Sequence, residues 1–342
     1  MIKKTSLLIV LQLVVLYAFG QQAQEDYRKH MMDSIKEAYI DELAFKTPAM
    51  RQLIFSTEYL GSGDISSKLN GDPFFDGTTQ TTRYFVNMNI PITHIGKNSI
   101  SGSIGVSHQR ISMSEIESYN SDIQVHDMDI EKTVLNGSLR LTRVDSLFNR
   151  PIVYMVYTTG LIDPETSQIK LLVGGLGLLT LRKTQKSALS LGLVLTTDPT
   201  SPLPVIPFIT YETKLSPTTD LSLGISGVGV RKMLGKKASI AFSNGLGGSL
   251  MLLQYDMPSF DGLYFPKKST YSTLELKSGL TFEYLITKKT IFTLNTGATY
   301  FAASNTIEQG KASDPFIKNK LGIVPFAQVG VSFLPFWKGF GK

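Results

Sequence analysis

Residues 271–286, YSTLELKSGLTFEYLI, put Leu274, Leu276, Leu280, Phe282, Tyr284 and Ile286 on one face of an extended chain. Thr273, Glu275, Lys277, Gly279, Thr281 and Glu283 fall on the other. A strict period of two marks a β-strand. Most strands are about five or six residues long, so this one is long enough to cross a bilayer at a tilt. The same alternation recurs. In 82–92, Tyr84, Val86, Met88, Ile90 and Ile92 oppose Arg83, Asn87 and Asn89. In 188–197, Leu189, Leu191, Leu193 and Leu195 oppose Ser190, Gly192 and Thr196. In 205–215, Val205, Ile209, Tyr211 and Leu215 oppose Thr210, Glu212 and Lys214. Further strands are expected near 51–60, 99–110, 132–144, 152–162, 168–182, 290–302 and 320–334. In the sixth strand the phase blurs at Gly174-Gly175, which suggests a bulge.

Loop lengths check this reading independently, because outer-membrane barrels alternate short periplasmic turns with longer outer loops. The pattern predicts long loops at 61–81 and 112–130 and short turns at 94–98, 145–150, 183–187 and 216–219. The rhythm falters between 220 and 254, which holds one strand or three. The expected fold is therefore an all-β, antiparallel, up-and-down barrel of 12 or 14 strands over 49–336. Both counts are even and leave both termini at the periplasmic side.

Two segments before the barrel break the period. MIKKTSLLIVLQLVVLYAFG combines Lys3 and Lys4, an apolar run and small residues before Gln21. That is the pattern of a secretory signal peptide over 1–20. Within 21–48, Tyr27, Met31, Ile35 and Leu43 recur at helical spacing and Thr47-Pro48 stops the run, which predicts an amphipathic helix. That helix could pack in the lumen, lie on the membrane or hold a periplasmic partner. A tail covers 337–342.

Composition narrows the alternatives. The 342 residues include 29 Gly, 10% aromatics and no Cys, and mean hydropathy is +0.04. The last value is too low for a bundle of membrane helices. Lacking Cys, the chain has no disulfide framework, thiolate metal site, Cys nucleophile or acylated Cys. Net charge is +6, but Lys and Arg are scattered in pairs such as Arg182-Lys183, Lys236-Lys237 and Lys288-Lys289. This is the pattern of solvated turns rather than of a nucleic-acid patch.

The search for chemistry is largely negative. His30, His94, His108 and His126 lie at neither metal nor triad spacing, and GxSxG and HExxH are missing. The carboxylates of 112–130 lack calcium-loop spacing. Aromatic residues of the 255–268 loop read as loop packing. Neither catalysis, metal nor cofactor is expected. The informative residues are charges on the polar faces: Glu58, Arg83, Arg140, Glu212, Lys214, Glu275, Lys277 and Glu283. A charged lumen must be wet or internally paired. These residues therefore either line a water-filled pore or brace it shut, and their mixed signs argue against strong ion selectivity.

The signal peptide ending before Gln21-Gln22, the Gly-rich inner faces and segments such as NGLGGSL (244–250) and FAQVGVSF (326–333) resemble those of Bacteroidota-type outer-membrane barrels of uncharacterised function. The resemblance implies an outer-membrane location and insertion by the barrel-assembly machinery, which a strand ending in Phe333 suits. It transfers no functional residue. The sequence thus points to a small-solute transport barrel, with a structural or interaction barrel as the alternative. The partners expected are the outer-membrane lipids.

Overall fold

The computed structural model describes residues 31–32, 40–119, 125–197, 204–224, 227–254, 268–308 and 314–336. The expected signal peptide, most of the expected helix, the 255–267 loop and the 337–342 tail lie outside them. The chain divides into two units at Arg51/Gln52. In the first, 40–46 is helical and is followed by a short 3-10 turn, Pro48–Met50. The buried Arg51 guanidinium donates to the carbonyls of Ala44 (3.4 Å) and Phe45 (3.0 Å). It thereby satisfies acceptors that a helix end leaves orphaned.

The second unit is one antiparallel sheet closed on itself. Its segments are β1 (Leu53–Leu69), β2 (Asp72–Ile95), β3 (Asn98–Ser118), β4 (Met128–Leu147), β5 (Arg150–Asp163), β6 (Gln168–Lys183), β7 (Ser187–Thr196) and β8 (Val205–Ser216). They continue with β9 (Thr219–Gly224), β10 (Gly227–Leu234), β11 (Ala238–Gly247), β12 (Leu250–Gln254), β13 (Lys268–Leu285), β14 (Thr290–Glu308), β15 (Ile317–Leu321) and β16 (Val324–Phe333). β11 and β12 both pair with β13, so they are halves of one stave. β15 and β16 share the partners β1 and β14 and form another. The barrel therefore has fourteen staves. The uncertain stretch holds three, of which β9 and β10 are short. Closure comes from β1 on β16, with Leu53 opposite Phe333.

The expected phase holds around the wall. Leu276, Leu280, Phe282, Tyr284 and Ile286 are exposed on the outside, whereas Glu275 and Glu283 are buried inside. On β4 the outward row reads Glu131, Thr133, Leu135, Gly137, Leu139, Leu141, Arg143. From Thr133 to Arg143, at about 3.3 Å per residue and a tilt of about 40°, that row climbs about 25 Å, the height of an outer-membrane apolar band. Tight turns lie at the end that carries Leu53 and Phe333, so this end is periplasmic. The Lys236-Lys237 and Lys288-Lys289 pairs collect there.

Three expectations need correction. Residues 61–81 are not a loop: β1 and β2 run on to the two-residue turn Asn70-Gly71. Both turn residues have positive φ (52° and 101°), as a tight hairpin with right-handed twist demands. The acidic 112–130 segment is mostly strand as well, since β3 reaches Ser118 and β4 begins at Met128. Gly174-Gly175 is not a bulge, because β5 and β6 stay in register there. Gly174 instead makes room for the ring of Tyr157 opposite, into which a Cβ would run.

Extended in this way, the long strands rise well above the apolar band, whereas β7 to β10 do not. There β12 leaves the wall and lies within 8 Å, Cα to Cα, of β4. Met251 and Leu253 of β12 pack on Ile111 of β3, with Ile130 of β4 against the same cluster. Gln168 at the head of β6 donates to the Leu253 carbonyl at 3.1 Å. Above the membrane the circuit thus closes through eight staves: β12, β13, β14, β15, β1, β2, β3 and β4. Eight strands enclose a space that side chains just fill. Here it is filled by Ile65, Leu69, Phe75 and Ile317, and lower down by the β12 cluster.

Candidate functional site

The neck between the wide ring and the narrow tube holds four of the eight lumen candidates. Glu58 and Arg83 are direct partners across β1 and β2. Glu275 and Lys277 stand two residues apart on β13, hence on one face. Around the tube β2 and β13 are four staves apart, half of eight, so their side chains meet across its diameter. Arg83 grips Glu275 with both nitrogens, Nη1 to Oε2 at 2.9 Å and Nη2 to Oε1 at 2.6 Å. Its Nη1 also donates to Glu58 Oε2 at 3.0 Å. Lys277 pairs with Glu58 and lies 3.4 Å from Glu275. Thr273 Oγ1 donates to Glu275 Oε1 at 2.6 Å.

The network is neutral, two carboxylates against two cations, and Glu275 is wholly buried. Ionised groups survive out of water only when paired and hydrogen-bonded; here every charged group is paired, and Arg83 Nε is left without a hydrogen-bond partner among the described residues. A bidentate Arg–carboxylate pair is also the strongest and most directional arrangement of such groups.

The network reaches the bend in the wall. Arg83 Nη2 donates to Ser249 Oγ at 3.3 Å, and Ser249 N donates to Thr273 Oγ1 at 2.9 Å. Ser249 sits between β11 and β12, after Gly247-Gly248. A Cβ on Gly248 would collide with the Thr273 carbonyl, so the glycine lets β12 turn inward beside β13. This bend lies inside NGLGGSL, whose glycines resist a simple two-residue phase.

Beneath the neck is a cavity of ≈ 370 Å³. Arg83, Lys132, Gln109 and Lys277 supply its polar lining, and Phe85, Val134, Leu161 and Met251 its apolar lining. Sequence reasoning could not find Gln109, Lys132, Ser249 and Met251, because only the closed wall brings them together. The remaining lumen candidates lie elsewhere. Glu283 pairs with Arg231 at 3.1 Å, nearer the periplasmic end. Arg140, Glu212 and Lys214 are exposed and take no part in the neck.

No curated protein is significantly similar to this sequence. Among solved structures, the chain is similar to the COG4313 outer membrane channel from Pseudomonas putida F1, at 12% identity over 83% of this chain and 96% of that one, with a TM-score of 0.35. It is also similar to the translocator domain of the autotransporter NalP from Neisseria meningitidis, at 10% identity over 88% and 94%, with a TM-score of 0.31. A third is the transport unit of the autotransporter AIDA-I from Escherichia coli, at 10% identity over 82% and 90%, with a TM-score of 0.29. Fold and lipid-facing belt make this an outer-membrane β-barrel. Residues 47–333 match the domain of unknown function DUF6268, and the chain belongs to that family.

Proposed function

We propose that this barrel conducts small solutes across the outer membrane and is held closed at its neck by the inward-folded β12. The observation that carries this reading is the Arg83 grip on Glu275 and Ser249, which ties the far wall and the bend of β12 to one guanidinium. Below it, a cavity with mixed charged and apolar lining is available to a solute. A purely structural barrel has no need of ionised groups at a constriction, where well-packed apolar residues cost less.

Single-channel recording in planar bilayers tests the proposal. The native chain is expected to give rare, brief openings. Arg83→Gln takes the bidentate partner from the buried Glu275 and leaves it only Lys277 at 3.4 Å and Thr273, a loss of up to about 3–5 kcal/mol, and should raise the open probability at least tenfold. A folded Arg83→Gln barrel that stays silent overturns the reading. In that event the alternative, a closed barrel acting through its protruding tube, takes its place. The solid apolar core of that tube favours it.

A further inference from the structure

Among the described residues the wall is incomplete on one side. β9 has six residues and β10 eight, which give about 15 and 20 Å of rise at a tilt of about 40°. Both fall short of the roughly 25 Å apolar band. The flanking staves run past them. Pairing of β8 with β9 begins at Tyr211 opposite Leu223, so among the described residues Val205–Thr210 have a strand partner only in β7. Pairing of β11 with β10 ends at Asn244 opposite Val228, so Gly245–Gly247 have a partner only in β13. Above this notch β12 turns inward, and among the described residues no strand pairs into the gap. Ile209 and Leu246, on the outer faces of the two free edges, are 61% and 58% exposed. The notch is therefore at lipid depth. Open sheet edges are not tolerated against hydrocarbon unless they line a cavity. The cavity is at hand: Gly248, Ser249, Leu250 and Met251, which line it, continue directly from the β11 edge.

We propose that the notch over β9 and β10 is a lateral portal through which small apolar or amphipathic molecules pass between the outer leaflet and the lumen. The proposal rests on the transport reading above and names the class of solute. The axial route is filled by the core of the tube, whereas the β11 edge continues into Gly248, Ser249, Leu250 and Met251, which line the same pocket as Phe85, Val134 and Leu161. A molecule already partitioned into the leaflet needs no aqueous path, so the side route can carry it while the neck is shut.

The chain has no Cys, and a Cβ at Gly247 would have nothing within 4 Å, so Gly247→Cys installs a single thiol beside the notch in an otherwise native wall. Gram-negative cells carrying the full-length Gly247→Cys chain are compared with cells carrying the native chain, each before and after N-(1-pyrenyl)maleimide. Uptake of labelled naphthalene is measured, with raffinose as the hydrophilic control. Before labelling, both chains should raise naphthalene uptake several-fold over cells without the protein and leave raffinose unchanged. Alkylation should return Gly247→Cys cells to the background and leave cells with the native chain unaffected. Raised uptake that survives full alkylation overturns the portal, as does naphthalene uptake that is never raised. If naphthalene uptake is not raised but Arg83→Gln conducts in bilayers, the portal falls and the transport reading stands. If neither occurs, both fall.

Discussion

The membrane ring and the tube above it are built from the same strands, yet they are inside-out relative to each other. In the ring, apolar residues such as Leu139 and Leu141 face outward and the lumen is polar. In the tube, Ser62, Asp64, Ser66 and Lys68 of β1 face outward and are exposed, while Ile65 and Leu69 face inward and are buried. A single continuous strand carries both patterns, with a register shift between Leu60 and Gly63 separating them. Solvent teaches the difference: a face turned to lipid must be apolar, and a face turned to water above the membrane need not be. The number of staves then sets the filling. Eight leave room for a packed core, fourteen for a chamber.

Four substitutions probe this inversion. The largest effect is expected from Phe75→Ala, which empties the tube core and should cost about 3–5 kcal/mol. Limited proteolysis should then cut between residues 60 and 81, while the ring keeps its heat-modifiable migration on gels. Loss of the ring as well would show that the two regions fold as one. Next comes Leu139→Arg, mid-belt on the outside, at about 2–4 kcal/mol, against about 0–1 kcal/mol for Leu141→Arg beside Arg143 at the rim. Urea titration in lipid vesicles measures both, and equal effects would mean that the belt is misplaced. Smallest is Asn70→Ala at the left-handed hairpin tip, about 1 kcal/mol. It should loosen the tube to hydrogen exchange and leave the ring untouched.

The ring was legible in the sequence because lipid enforces a strict alternation over ten or more residues, as in 188–197 and 271–286. The tube was hidden by its composition. Gly61, Gly63, Asp64, Asp72, Pro73 and Gly77 look like turn residues, and a water-facing outer row gives no apolar stripe. Its faint signal was Ile65 and Leu69 on one phase, followed by Asn70-Gly71. The neck was half legible. Glu58, Arg83, Glu275 and Lys277 could be placed on inner faces, but phase says nothing about which staves meet across a lumen. That β12 would abandon the wall had only one hint, the paired glycines of 247–248.

The bend at Gly247-Gly248-Ser249 also fixes an order of assembly. Contacts of β12 join Leu253 to Gln168 and Met251 to Ile111, partners 85 and 140 positions away in sequence. The other staves zip hairpin by hairpin, apart from the seam of β1 on β16, which joins Leu53 to Phe333. β12 can dock only after β3, β4 and β6 stand in place on the far side, so the narrow tube needs a second non-local join besides the seam of the ring. Long-range closures of this kind are slow. The latch at Arg83, which joins Glu58 of β1, Glu275 of β13 and Ser249 at the bend, can therefore form only when these distant parts of the chain have met.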